Sequence, residues 1–230
     1  MSGAELRDAR VTRKWNQSDL AQRLGVSQAY VSLLESSRRP IPNRLVRKLV
    51  SALGLPASTL PVSSESAPLR ADDAARAFGA LGYTGFVHLR HSRKVNPAEL
   101  LLRTLKSPHV EARIVEALPW LLVSHPKVDW QWLLREAKVN DLQNRLGFVV
   151  TVAREVAERQ EKSDAAEVLR HWERVLENSR LVKEDAFAQD ALTDAERTWL
   201  RSNRSKEATR WNLLTSMSAE NVSSASECRV

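Results

Sequence analysis

The sequence predicts an all-α protein, with a small N-terminal helical bundle and a larger C-terminal helical domain. Three observations support this fold class. Apolar residues recur at helical spacing from about residue 4 to 54 and again from about 70 to 213. No convincing alternation of apolar and polar residues indicates a β-strand. Residues 56–69 are rich in Pro and Ser, which is typical of a linker between domains.

The first helix is predicted over residues 4–14. Leu6 and Ala9 are expected to face inward, whereas the basic residues are expected to lie largely outward: Arg7, Arg10, Arg13 and Lys14. Asn16 follows this helix and is well placed to cap the next one, because a short polar side chain can accept a first-turn N–H.

Residues 17–35 are predicted to form two short helices joined by a tight turn. Gly25 ends the first helix where a left-handed residue is needed, and Ser27 is a ready N-cap for the second. The inward-facing residues are Leu20, Ala21, Leu24, Val31 and Leu34.

Once these inward residues are assigned to the core, the residues that remain on the outer face of the second helix are Gln28, Ala29, Ser32 and Leu33. A helix with short polar and small apolar groups outward can lie in the major groove of DNA and contact base edges. We therefore predict these four residues as base contacts. A helix hairpin with the same core pattern but no DNA-binding role is the alternative.

Here the residues carry a family resemblance. The pattern is Gln17-x-x-Leu20-Ala21-x-x-x-Gly25-Val26-Ser27-x-x-x-Val31-Ser32-x-x-Glu35, followed by Arg38-Arg39-Pro40. It resembles the helix-turn-helix of the XRE family, the type found in phage Cro proteins and repressors, over about the first 60 residues. The resemblance implies that Gln17 contacts a DNA phosphate and that Glu35 is mainly structural. One departure is Ser37, where the family usually has Gly.

Basic side chains flank the predicted reading helix. Arg38, Arg39 and Arg44 are the best further candidates for phosphate contacts, although each could equally be a solvated surface arginine. Residues 1–60 hold 10 Lys+Arg and 4 Asp+Glu, a net charge of +6, whereas residues 61–230 hold 25 and 24, a net charge of +1. A basic surface confined to one module favours double-stranded DNA as its partner.

The remaining helices follow from periodicity and capping residues. Pro42 opens a helix that Gly54 closes, and this helix completes domain 1–55. Ser107-Pro108-x-x-Glu111 and Thr193-x-x-Glu196 are predicted capping boxes. In the second domain, 70–213, helices are predicted at about 72–81, 97–106, 109–124, 129–138, 141–161, 164–180 and 193–213. The Ser-rich tail, 214–230, is predicted to be disordered.

Tryptophans are concentrated in the middle of the second domain. A second core is predicted there from Trp120, Trp130, Trp132, Leu133, Leu146, Phe148 and Val149. Aromatic residues this dense could instead form an interface. This region also resembles one in regulators found beside nucleotidyltransferase toxins. A basic loop holds His88, Arg90, His91, Arg93 and Lys94, which could contact DNA backbone or an acidic partner, or be simply solvated.

No sequence feature indicates an enzyme, and we predict no catalytic residue, no cofactor and no metal. The five histidines lack ligand spacing on a helix, the chain has one cysteine, and its seven glycines form no phosphate-binding loop. The start lacks the apolar segment of a signal peptide, and no apolar run suits a membrane span. We expect a cytoplasmic protein with no membrane partner.

The function that these observations favour is a sequence-specific DNA-binding transcriptional regulator. We expect a repressor that binds a palindromic operator as a homodimer through its second domain. The leading alternative is an antitoxin or phage-defence regulator, whose second domain neutralises a cognate toxin while the first autoregulates the operon. A third possibility is a regulator that senses a small molecule in a pocket between the helices of the second domain.

Overall fold

The computed structural model describes residues 1–63, 67–189 and 191–222, which divide into two compact units. The first unit is Met1–Val62 and the second is Ser63–Val230. Helices dominate both units, so the predicted all-α fold class is confirmed. No helix in the described ranges is both long enough and apolar enough to cross a lipid bilayer.

The first unit is a bundle of four α-helices followed by one short 3₁₀ turn at Ala57–Thr59. The α-helices are α1 (Gly3–Thr12), α2 (Gln17–Leu24), α3 (Gln28–Glu35) and α4 (Asn43–Leu53). Their core is built from the inward faces of all four helices: Leu6, Leu20, Ala21, Leu24, Val31, Leu34, Leu45, Leu49 and Leu53. This core matches the apolar stripes of the sequence.

The second unit contains eight α-helices among its described residues and a 3₁₀ segment at Thr84–Leu89. The helices are α5 (Ala71–Leu81), α6 (Pro97–Leu105), α7 (Ala112–Ser124), α8 (Trp130–Val139), α9 (Gln143–Arg159), α10 (Ser163–Glu177), α11 (Asp194–Asn203) and α12 (Lys206–Arg210). Helix α9 is central, since it packs against both α7 and α10 and most of its residues are buried.

The predicted second core is largely confirmed. Trp130, Leu133, Leu146, Phe148 and Val149 are buried, whereas Trp120 and Trp132 are half-buried against the same cluster. Another tryptophan, the fully buried Trp211, also joins this core, and no local pattern in the sequence predicts it.

Trp211 closes the core over α9. Its Nε1 donates to Oγ1 of Thr151 at 2.8 Å, and that hydroxyl donates to Oε1 of Glu173 at 2.9 Å. A methyl group at Gly147 would lie 2.3 Å from Cζ3 of the indole. Only glycine therefore lets the ring lie directly on the backbone of α9.

Two helix boundaries in the second unit correct the sequence prediction. The helix predicted at 109–124 starts at Ala112, because His109 pairs with Gln189 and the N–H of Val110 donates to the carbonyl of Ala188. Ser107 therefore lies just after α6 and does not cap α7, and its hydroxyl donates to the carbonyls of Leu69 and Arg103.

The helix predicted at 193–213 is also interrupted. It stops at Asn203, resumes as the short α12, and is followed by a strand β2 (Leu213–Leu214) that runs parallel to β1 (Asp185–Ala186). The capping box at Thr193 and Glu196 is present as predicted.

The Pro- and Ser-rich stretch 56–69 packs more closely than a free linker does. Ala57 and Leu60 are buried in the first unit. The N–H of Ser63 donates to Glu99, and the carbonyl of Ala67 accepts from Arg103. Residues 64–66 of the predicted linker lie outside the described residues.

The predicted disorder of the tail is wrong for residues 214–222. Leu214 lies in β2, and Ala219 and Val222 are buried in the core of the second unit, because these apolar side chains recur among the serines. Residues 223–230 lie outside the described residues.

Candidate DNA-binding surface

Helices α2 and α3 meet through a turn whose residues carry the predicted roles. Gly25 is left-handed, with φ +71°, and Ser27 Oγ accepts the N–H of Tyr30 at the start of α3. Asn16 and Asp19 form a capping box at the start of α2. Because each of these features satisfies local backbone groups, the angle between the two helices is set by short-range chemistry.

The outer face of α3 carries the four predicted base contacts. Gln28 and Ala29, in its first turn, are exposed, and Ser32 and Leu33 are half-buried. The opposite face is buried in the core of the first unit. The structure thus brings the four residues onto one helix, with its first turn the most accessible to a ligand.

A chain of hydrogen bonds joins this face to the interior. Gln28 Nε2 donates to Gln17 Oε1 at 2.6 Å, and Gln17 Nε2 donates to Glu35 Oε2 at 2.9 Å. Glu35 is buried and accepts from Arg10 Nε at 2.6 Å and from Arg10 Nη2 at 2.9 Å. Arg10 also donates to the carbonyl of Trp15. The side chain of Gln28 is therefore oriented by groups fixed in the core.

The Arg10–Glu35 pair is ionised. Burial by itself raises the pKa of Glu35, but hydrogen bonds from Arg10 and Gln17 and the charge of Arg10 outweigh it and hold that pKa below its ordinary value. The hydrogen bond to Glu35 raises the pKa of Arg10 in turn. Two opposite charges with this bidentate geometry lock the end of α1 to the end of α3.

Arg10 corrects the sequence prediction, which placed it on the outer face of α1. It is buried because it lies one turn after Leu6 on the inner face. Two features of the sequence could have indicated this burial. One is the helical spacing of Leu6 and Arg10, and the other is the lone carboxylate of Glu35 in an apolar stripe. Glu35 itself has the structural position that the resemblance implied.

Gln17 has two groups that are relevant to an anion. Its side-chain amide is engaged by Glu35 and Gln28. Its backbone N–H, at the first position of α2, has no acceptor within the helix, as is general for a helix N-terminus. That N–H, together with the helix dipole, is the part of Gln17 suited to a phosphate.

The three predicted phosphate-binding arginines are exposed and flank α3. Arg38 and Arg39 follow Ser37, which adopts the left-handed conformation with φ +56° where the family usually has glycine. The guanidinium of Arg39 lies 5.9 Å from the ring centre of Tyr30 on α3. Arg44 is in the first turn of α4. Three exposed arginines thus follow the reading helix in the chain, and one of them contacts it.

Within the described ranges, no group of three or more His, Cys, Asp or Glu side chains could hold a metal ion. The arrangement in the first unit consists of exposed amide, small apolar and guanidinium groups. These groups suit recognition of bases and phosphates.

Comparison with known proteins agrees with this geometry. Residues 3–61 match the family model of a helix-turn-helix domain, and these limits nearly coincide with the first unit. The match is consistent with the resemblance to the XRE type and indicates a DNA-binding regulator. No curated protein and no solved structure matches the chain.

Proposed function

We propose that this helix-turn-helix protein is a sequence-specific transcriptional regulator that reads duplex DNA with α3. The observation that carries the proposal is the exposed first turn of α3, with Gln28 tied through Gln17 to the buried Glu35. An amide held in place before binding loses little rotamer entropy when it meets a base.

The hydrogen bonds of Gln28 match adenine. Its Nε2 has two hydrogens, and one is used by Gln17. The second hydrogen and Oε1 are the donor and acceptor needed for bidentate contact with N7 and the amino group of adenine in the major groove. Ala29 and Leu33 supply apolar contact of the kind made with a thymine methyl, and Ser32 can donate or accept.

Gln17, Arg38, Arg39 and Arg44 would position the module by contacts to phosphates. These contacts carry no sequence information of their own but fix the register of α3 in the groove. The net charge of +6 in residues 1–60 supplies the long-range attraction to DNA.

We further propose a homodimer on a palindromic operator, acting as a repressor by occupying it. One module contacts few base pairs, and two related by a two-fold axis multiply the specific energy. The second unit would supply the dimer contact. It exposes large apolar residues, among them Val139, Val182 and Trp199, and Trp199 lies on α11, none of whose residues is buried.

The same exposed apolar residues keep the alternative open, in which the second unit binds and neutralises a toxin while the first autoregulates the operon. A helix of ten residues with no buried side chain favours a protein partner, since isolated helices of this length are marginal in water. The antitoxin function is supported if expression of a neighbouring gene is lethal in the absence of this protein and is tolerated in its presence.

The test of the proposed function is selection of DNA from random sequence by the full-length protein, followed by titration of the selected duplex. We expect a palindromic site bound at least about 10³-fold more tightly than a scrambled duplex at physiological salt. Equal affinity for the two duplexes would overturn sequence-specific binding.

A further inference from the structure

A second basic surface lies on the second unit, outside the helix-turn-helix. It consists of five exposed side chains that we call the basic rim: His88, Arg90, His91, Arg93 and Lys94. Residues 74–98 contain no Asp or Glu, although the second unit as a whole is almost neutral. Residues 74–98 therefore carry a local excess of positive charge.

The two carboxylates that bracket this stretch in sequence line one cavity with Arg93, but each pairs with an arginine that is not in the basic rim. Asp73 pairs with Arg76 at 3.4 Å. Glu99 pairs with Arg103 at 3.3 Å and accepts the N–H of Ser63. These partners of the two carboxylates therefore lie outside the basic rim.

The backbone that carries the rim is held in a fixed shape. Phe86 is buried, and a methyl group at Gly79 on α5 would lie 2.5 Å from the Phe86 carbonyl oxygen and 2.9 Å from Cβ of Leu89. The N–H of Arg90 donates to Val87 and the N–H of Ser92 donates to Leu89. The basic side chains thus project from a tightly turned segment packed on α5, which fixes the spacing of their charges.

The composition of this surface favours phosphates over a protein partner. Protein interfaces have apolar centres depleted of charge. Along 84–95 the exposed large apolar side chain is Val87, 55% exposed, beside three cations and two histidines. Contacts to a nucleic-acid backbone need only cations and N–H donors, with no apolar centre.

We infer that the basic rim binds DNA phosphates that flank the operator. This inference rests on the proposed function, because it takes the duplex that α3 reads as the ligand. Once the first unit is bound, the short connection between the units holds the rim at high local concentration relative to the neighbouring DNA. Weak contacts from a few cations then add to affinity without adding sequence preference.

The experiment compares two duplexes that share the sequence selected by the full-length protein. One is about 20 base pairs long, the extent of two half-sites one helical turn apart, and the other adds about 15 base pairs of neutral sequence on each side. The full-length protein is measured as wild type, as R90E/R93E, and as R135E/K138E. Arg135 and Lys138 are exposed on α8, so this control makes the same change in net charge.

We expect wild type and the control to bind the long duplex more tightly than the short one, with a steeper salt dependence. R90E/R93E should bind the short duplex like wild type and lose the flank-dependent gain. Loss of two phosphate contacts per protomer, four per dimer, removes about 3.6 from the slope of log K against log salt, about 10²-fold between 50 and 200 mM. Circular dichroism and thermal unfolding of each variant check that the fold is unchanged.

The outcomes separate this inference from the proposed function. If R90E/R93E matches wild type on both duplexes, the flanking contact is wrong and the rim is better assigned to an acidic protein. An equal loss on both duplexes, or an equal loss in the control, also overturns it. If wild type shows no preference for any duplex over scrambled DNA, the proposed function fails first.

Discussion

At the residue scale, the proposed function is most specific about the side chain of Gln28, which is expected to contact an adenine. One of its N–H groups is used by Gln17, and the remaining donor and acceptor form a pair suited to adenine. Replacement by alanine removes both base contacts and leaves the helix backbone unchanged.

Gln28→Ala should weaken binding to the selected operator by about 1–3 kcal/mol and flatten the preference at one base pair of each half-site. Fluorescence anisotropy on a set of single-base variants of the operator measures both effects. Gln22→Ala, an exposed glutamine on α2, is the matched control and should bind like wild type. Equal losses on operator and random DNA would contradict a base-reading role.

The buried ion pair sets a second residue-scale expectation. Arg10→Met leaves the carboxylate of Glu35 buried without its partner and should destabilise the first unit by about 3–5 kcal/mol at pH 7. Arg44→Met, at an exposed position, should change stability by less than about 0.5 kcal/mol. Urea denaturation of the wild type and both variants measures these differences.

The direction of the pH dependence follows from the pKa of Glu35. Because that pKa is lowered in the folded protein, the pair stabilises the fold above the ordinary value for Glu, and this contribution is lost as the pH falls through the lowered pKa. Without Arg10, burial instead raises the pKa of Glu35. The deficit of Arg10→Met should therefore shrink between pH 7 and pH 4.5, and a constant deficit would contradict the ion-pair account.

At the scale of elements, the sequence predicts the caps and turns that depend on residues close to one another in the chain. Asn16, Gly25, Ser27 and Thr193 act within one turn of the chain, and each has the predicted cap or turn conformation. The start of α7 was missed because residue 109 pairs with residue 189, a partner that no local pattern reveals.

Long-range contacts also explain the errors at the candidate site. The four predicted base-contact positions follow from helical periodicity alone. The burial of Arg10 depends on a carboxylate 25 residues away, and the engagement of Gln17 depends on both α2 and α3. Local reasoning located the surface, whereas the hydrogen bonds that orient it required the tertiary structure.

The turn after α3 gives an element-scale prediction. If Arg38, Arg39 and Arg44 supply two phosphate contacts per half-site, a dimer neutralises about four phosphates. The slope of log K against log salt on a short operator should then be about −3.6, which is about 10²-fold weaker binding at 200 than at 50 mM. Arg38→Gln/Arg39→Gln should flatten this slope, and a slope near zero for the wild type would remove the electrostatic argument.

At the scale of the whole molecule, the expected division of labour is reading by the first unit and association by the second. Two modules with a net charge of +6 each repel one another when they approach on DNA. In the proposed dimer, contacts beyond residue 63 would offset this repulsion and hold the two modules about one helical turn apart.

A fragment of residues 1–62 should fold, remain monomeric at micromolar concentration and bind the palindromic operator much more weakly than the full-length protein. Sedimentation equilibrium of both chains, with and without operator, measures the stoichiometry. A scrambled duplex is the control for non-specific assembly. If the full-length protein stays monomeric in every case, the dimer is wrong and the second unit is better interpreted as a docking surface for another protein.

The position of Trp211 over Gly147 has a consequence for synthesis on the ribosome. The first unit is complete at Val62, but the core of the second lacks its largest fully buried side chain until Trp211 has been made, 149 residues later (211 − 62). At about 5–20 residues per second, this interval is about 7–30 s. During it, a folded first unit is attached to an unfinished second unit, so under the proposed function a nascent chain would be able to reach DNA before it could dimerise.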